Sequence, residues 1–320
     1  MDIFRAVIIT VALLVVTPAI SRGWSGKVVN VAEGDSITVQ RGTNKVKLRL
    51  CGIDTPEKSQ LYGQSAKTFT AFASEHKIYS DPRLYVLERL KSSDIVFLGM
   101  THRRPPLLEF VRDLLPRLHE VGVTHLGLEI PCDQQRSIDR FLDTGESLDQ
   151  IVLHTQIECV EYRNLLRAIR RLDKARRPAV IALDLPTTSL FSSKVSRDEW
   201  MARSIEGLFR SRGVKVFVVV GNLHVLKNIE WGDRVINPDG FIRTYLSKLS
   251  PQLKLFSIGQ CVDERPSQCD FTKAFGLIEG FVAVNCDESE RFSDWQIGIL
   301  SPVAAKPKAV CDMFDGVIIY

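Results

Sequence analysis

Five short strand-like runs constrain this chain more than any other feature. They lie at 94–98, 123–129, 179–184, 214–220 and 253–258, and each is the length of a buried strand. Helix-length amphipathic stretches alternate with them, over 81–91, 106–120, 133–143, 158–175 and 197–212. Strands separated by helices need crossover connections. From Ile78 onward the pattern therefore predicts an α/β fold, with a mainly parallel central sheet and helices on both faces. Two further strands are expected at 281–284 and 316–320. Ahead of this body, residues 24–50 alternate with period two around the turns Glu33-Gly34-Asp35 and Gly42-Thr43-Asn44, which predicts a small β meander. The expected divisions are 1–21, 22–76 and 77–320, with the junction between the last two inside 73–80.

The first 21 residues read as an export signal. Arg5 closes a short n-region, and residues 6–20 are apolar but too short for a comfortable membrane span. Ala19 and Ser21 fit the small-residue rule for cleavage before Arg22, which implies a periplasmic or secreted protein with no stable membrane span after processing. The chain has seven cysteines, an odd number that excludes a fully paired monomer. In an oxidising compartment Cys261 and Cys269 are the best local pair, with buried free thiols as the reading for Cys51, Cys159 and Cys286. No Cys-x-x-Cys occurs, so a zinc-thiolate site has little support. A net charge of +4 over 320 residues gives little reason to expect a nucleic-acid partner. The helix at 158–175 carries Arg163, Arg167, Arg170, Arg171 and Lys174, read as a solvated face with an anion patch as the lesser alternative.

Chemistry is carried by two matched strings. Gly99-Met100-Thr101-His102 and Gly221-Asn222-Leu223-His224 each follow an apolar run, and a third run ends in Glu129. Parallel strands expose their carboxyl ends on one rim, where ligands of open α/β sheets bind. His102, Glu129 and His224 are therefore expected around one cleft, able to hold a divalent metal or to do acid–base work. Asp184 also ends a run, and either joins them or caps the next segment. His119, His125 and His154 read as structural.

The body resembles the superfamily that joins haem-uptake ChaN-like proteins, Tiki-type proteases, TraB/GumN-like proteins and erythromycin-esterase-like enzymes. Gly99 to His102, Glu129, and Gly221 to His224 carry the resemblance. Met100 stands where ChaN-like members often have Glu. Separately, Glu33-Gly34-Asp35-Ser36 and the run Arg49-Leu50-Cys51-Gly52-Ile53-Asp54-Thr55-Pro56-Glu57 resemble the thermonuclease family, over about residues 24–76. That resemblance implies part of an OB-like barrel. It gives Asp35 and Asp54 as calcium carboxylates, Thr55 as a neighbouring calcium contact, Arg49 as a phosphate ligand and Glu57 as the general base. The family's second phosphate arginine and closing strands have no counterpart, so the segment reads as truncated and inactive.

Three functions follow as expectations. The leading one is an exported hydrolase acting on a peptide or ester. It either uses a metal on His102, Glu129 and His224, or works without one, Glu129 then orienting a histidine base. The second is a protein that binds haem or an iron ligand in the same cleft. The third is a calcium-dependent nuclease working through the N-terminal residues.

Overall fold

The structure is a computed structural model that describes residues 27–50, 57, 59–60, 63–64, 67, 70–71, 78–79, 81–102, 105–189, 193–227, 240–261, 282–286 and 310–319. The export signal, Asp54, Thr55 and Cys269 lie outside the described residues.

Strands β1 (Lys27–Glu33), β2 (Ser36–Arg41) and β3 (Asn44–Arg49) form an antiparallel meander in sequence order. Alternation puts Val31, Ile37 and Val39 on one face, where they pack with Val28, Leu48, Leu50 and Ala71 as a small separate cluster. Gly42 turns the second hairpin with φ +59°, a conformation costly for a side chain with Cβ.

The body is an eight-stranded sheet. Its elements in chain order are β4 (Ile78–Tyr79), α1 (Pro82–Ser92), β5 (Ile95–Met100), α2 (Pro105–Leu114), β6 (His125–Pro131), α3 (Gln135–Thr144), α4 (Val160–Arg171), β7 (Ala179–Asp184), α5 (Arg197–Leu208), β8 (Val216–Gly221), α6 (Ile242–Leu249), β9 (Leu255–Cys261), β10 (Val282–Asn285), α7 (Val310–Met313) and β11 (Gly316–Ile319). Across the sheet the order is β4-β10-β11-β9-β5-β8-β6-β7. The six strands from β11 to β7 are parallel, and β10 runs antiparallel to both of its neighbours. One face packs on α1 to α4 through residues such as Val96, Leu98, Leu128, Leu107 and Leu165. The other packs on α5, α6 and α7 through Phe97, Val218, Met201, Ile242 and Met313. The expected α/β architecture with helices on both faces is the one found.

Two differences from the sequence reading have local causes. The helix expected over 106–120 ends at Leu114 and continues as a 3-10 turn over Leu115–Val121. Pro116 lacks the N–H that would continue the α-helical ladder there. The strands β5, β6, β8 and β9 run one to three residues further at their carboxyl ends than the runs read from the sequence, which brings Gly99 and Gly221 inside β5 and β8. The helix α6 and the short strand β4 had no distinct signal in the sequence. Among the described residues no helix is long and apolar enough to cross a membrane.

Candidate active site

The strand order sets the site. At the carboxyl rim, β5, β8, β6 and β7 are neighbours, so the residues at their ends meet in the order His102, His224, Glu129, Asp184. Each motif glycine exists for a side chain of the other motif. A Cβ on Gly99 would sit 2.4 Å from Asn222 Oδ1, and one on Gly221 would sit 2.9 Å from His102 Nε2. The Asn222 amide crosses β5 to bond the backbone of Gln260 in both directions, Nδ2 donating at 2.8 Å and Oδ1 accepting at 3.0 Å. That pair of bonds fixes the turn after β8, and with it His224. Gly221→Ala is expected to push His102 out of place and to cost about 1–3 kcal/mol, read from the urea unfolding midpoint.

Glu129 is the hub. It is 2% exposed, and its two oxygens divide the work. Oε2 accepts from Gly221 N at 2.7 Å and lies 3.9 Å from His102 Nε2. Oε1 accepts from Arg197 Nη2 at 2.7 Å and lies 3.4 Å from His224 Nε2. Asp184, fully buried, takes the rest of the same guanidinium: Arg197 Nε donates to Oδ1 at 2.9 Å and Nη2 to Oδ2 at 2.6 Å. Asp184 therefore belongs to the rim cluster, and it also accepts from Leu185 N.

Arg197 and Asp198 come from the first turn of α5, which begins where Ser196 accepts a hydrogen bond from Glu199 N at 3.1 Å. Asp198 Oδ1 lies 2.9 Å from His224 Nδ1 and accepts from Ile242 N. A cation at a helix N-terminus opposes the helix dipole, so Arg197 is held there by its carboxylates. Sequence reasoning missed both residues. The signal was present as the capping box Ser196-Arg197-Asp198-Glu199, which marks the two intervening residues as the start of a helix. His154 was read as structural. Its Nε2 lies 3.7 Å from Asp184 Oδ2 and has no hydrogen-bond partner among the described residues, which places it beside the cluster.

The environment separates the two motif histidines. Burial lowers the His102 pKa, and although Glu129 opposes this, His224, Arg197 and His154 add to it, so the ring is neutral near pH 7. Burial also disfavours charge on His224, but Asp198 and Glu129 outweigh it and raise the pKa to about 10. The carboxyl of Glu129 is held far below its usual range: burial opposes ionisation, and His224, Arg197 and His102 overcome it. The fully buried Tyr162 of α4 has its hydroxyl pushed well above 10 by burial and by the nearby Glu129 charge.

The side chains of the rim are engaged with one another. Both ring nitrogens of His224 face carboxylate oxygens, Nε2 at 3.4 Å from Glu129 Oε1 and Nδ1 at 2.9 Å from Asp198 Oδ1. Arg197 already occupies Oε1 of Glu129. Among the described residues no group of three His, Cys, Asp or Glu side chains is arranged to hold a metal ion.

In the meander, Asp35 is 3% exposed and bonded to Ser36 and Arg49, the latter through Nε at 3.0 Å and Nη2 at 2.9 Å. Glu57 lies near Glu33, whose hydrogen bond and charge raise its pKa, with burial and Asp35 adding to this and Arg49 opposing it. Asp35, Arg49 and Glu57 therefore gather at one place, with Arg49 paired to the carboxylate expected to bind calcium.

No family model matches the chain. Among curated proteins it is 41% identical over 67 residues to an uncharacterized endonuclease of Haemophilus influenzae and 38% identical over 63 residues to a micrococcal nuclease of Shigella flexneri. Each match takes in 20% of this chain, and 38% and 36% of those relatives' lengths. The likeness of the body to solved structures is one of fold. A succinoglycan biosynthesis protein superposes with TM-score 0.62 at 10% identity, over 83% of this chain and 97% of that one. An erythromycin esterase mutant in its open conformation gives 0.55 at 11%, over 74% and 92%. The haem-binding ChaN of Campylobacter jejuni gives 0.46 at 10%, over 74% and 91%.

Proposed function

We propose that the α/β body is an exported hydrolase of esters or amides that needs no bound metal. His102 is the base, and His224 with Arg197 is the cationic pair. The observation that carries this reading is that Glu129 bridges two partly exposed histidines whose surroundings drive their protonation apart, the pKa of His102 lowered and that of His224 raised. Two titratable groups pushed in opposite directions are the usual mark of an acid and a base in one site.

In this reading His102 Nε2 takes a proton from water as the water oxygen attacks the substrate carbonyl carbon. The carbonyl oxygen gains negative charge, which the guanidinium of Arg197 stabilises, with the charge of the His224 imidazolium acting from behind its carboxylate partners. The proton on His102 then passes to the leaving oxygen or nitrogen as the acyl bond breaks. Asp198 and Asp184 hold the two cations in place, and Glu129 sets the spacing between base and cations. The esterase among the structures of like fold is consistent with acyl chemistry in this setting.

Hydrolysis of p-nitrophenyl esters by the purified protein, with and without a chelator, tests the proposal. Turnover that survives the chelator is expected, and turnover restored only by added metal overturns the metal-free mechanism. A Soret band on adding haem, abolished by His102→Asn, with no ester turnover, would instead assign the cleft to haem. The N-terminal meander is expected to give no calcium-dependent cleavage of single-stranded DNA. The nuclease relatives are matched over little more than a third of their length, and the phosphate arginine is paired with Asp35. Robust cleavage lost in Glu57→Ala would show the opposite.

A further inference from the structure

We propose that a second site, a cavity between the carboxyl ends of α3 and α4, binds a small molecule carrying a phosphate monoester. The cavity measures about 360 Å³, and Phe141, Leu148, Asp149, Arg167, Arg170 and Arg171 form most of its wall. That volume lies at the lower end of the range for small-molecule sites. Phe141 and Leu148, both nearly buried, close the apolar floor of the cavity, and the arginines supply the charge.

The central arginine is seated rather than free to wander. Arg170 lies over Gly145, where a Cβ would sit 2.5 Å from its Cζ. Gly145 closes α3 with φ +84°, so glycine is required there both for the turn and for the guanidinium above it. Arg170 Nη2 donates to Thr144 O at 3.1 Å, while its Nε is buried with no hydrogen-bond partner. Arg167 Nη1 donates to Asn164 Oδ1 at 2.9 Å. Arg171, exposed beside them, makes no hydrogen bond or ion pair among the described residues. Asp149 and two helix ends, each worth about half a negative charge, leave three guanidinium groups only partly neutralised.

The donor geometry favours phosphate over carboxylate. A carboxylate offers two oxygens and one charge. A phosphoryl group offers three oxygens and up to two charges, matching planar guanidinium forks from several directions. The site stands apart from the rim cluster: Tyr162, near Glu129, and Arg170 lie on the same helix, eight residues and about 12 Å of axial rise apart. The basic face read in the sequence as solvated thus forms part of a built cavity.

Calorimetric titration of the full chain with phenyl phosphate at low salt tests this. Saturable binding at one site is expected, at least tenfold weaker in Arg167→Gln/Arg171→Gln. Inorganic phosphate should compete less well, and benzoate should bind more weakly still. Arg171 has no bond to lose, so Arg171→Gln alone carries the test if the double variant unfolds. Equal binding by wild type and variant, or no binding by either, overturns the site. Inorganic phosphate or benzoate binding as tightly as phenyl phosphate overturns the ligand class.

Discussion

His102→Asn is expected to lower kcat/KM for ester hydrolysis by about 10²–10⁴-fold while leaving the unfolding midpoint nearly unchanged. His102 is one of the partly exposed members of the rim cluster. Its Nε2 reaches Glu129 only at 3.9 Å, and its Nδ1 has no hydrogen-bond partner among the described residues, so little folding energy rests on it. Asparagine keeps a polar side chain of similar reach but cannot accept a proton near neutral pH. The loss should fall mainly on kcat, because the base acts in the transition state rather than in ground-state binding. Activity within twofold of wild type would remove His102 from the reaction.

Arg197→Met is expected to destabilise the protein by about 3–5 kcal/mol, read from urea unfolding, and to abolish turnover. Arg197 is the guanidinium shared by Glu129 and Asp184, which are 2% and 0% exposed. Methionine approximates the stem of arginine but leaves both carboxylates buried with half their countercharge gone. The companion variant Asp184→Asn keeps the shape and removes one of those charges, so its cost should be smaller. An Arg197→Met protein as stable as wild type would show that the rim charges are solvated and not locked together.

The architecture was legible because it rests on apolar periodicity. The stretches Ile95–Leu98 and Val216–Val220 have no polar interruption, as strands buried on both faces require, and they lie in the adjacent central strands β5 and β8. The pairing of the two Gly-x-x-His strings was legible for the same reason, since both follow such runs. Arg197, Asp198 and His154 were not. They come from a helix start and a connecting segment, where no periodicity marks which side chains turn toward the rim. The surroundings of His224 were not legible either, because no spacing rule carries them: its neighbours are two carboxylates, one of them supplied by Asp198 from α5. Asn222 was similarly hidden. Its amide substitutes for a strand's backbone against Gln260, a bond between residues 38 apart in the chain.

The central claim is that the two motif histidines sit in one cluster with opposite protonation. Titration of the histidine side chains by nitrogen-15 NMR, assigned with His102→Asn and His224→Gln, tests it most directly. Folding the charge of His224 between Asp198 and Glu129 raises its pKa, so its imidazolium should persist from acid pH through neutrality and be lost only as pH climbs toward about 10. Burial lowers the pKa of His102, so it should be neutral at pH 7 and take up its proton only below the usual value of about 6.5. Both rings titrating together between about pH 6 and 7 would contradict the assignment of base and cation, and with it the proposed reaction.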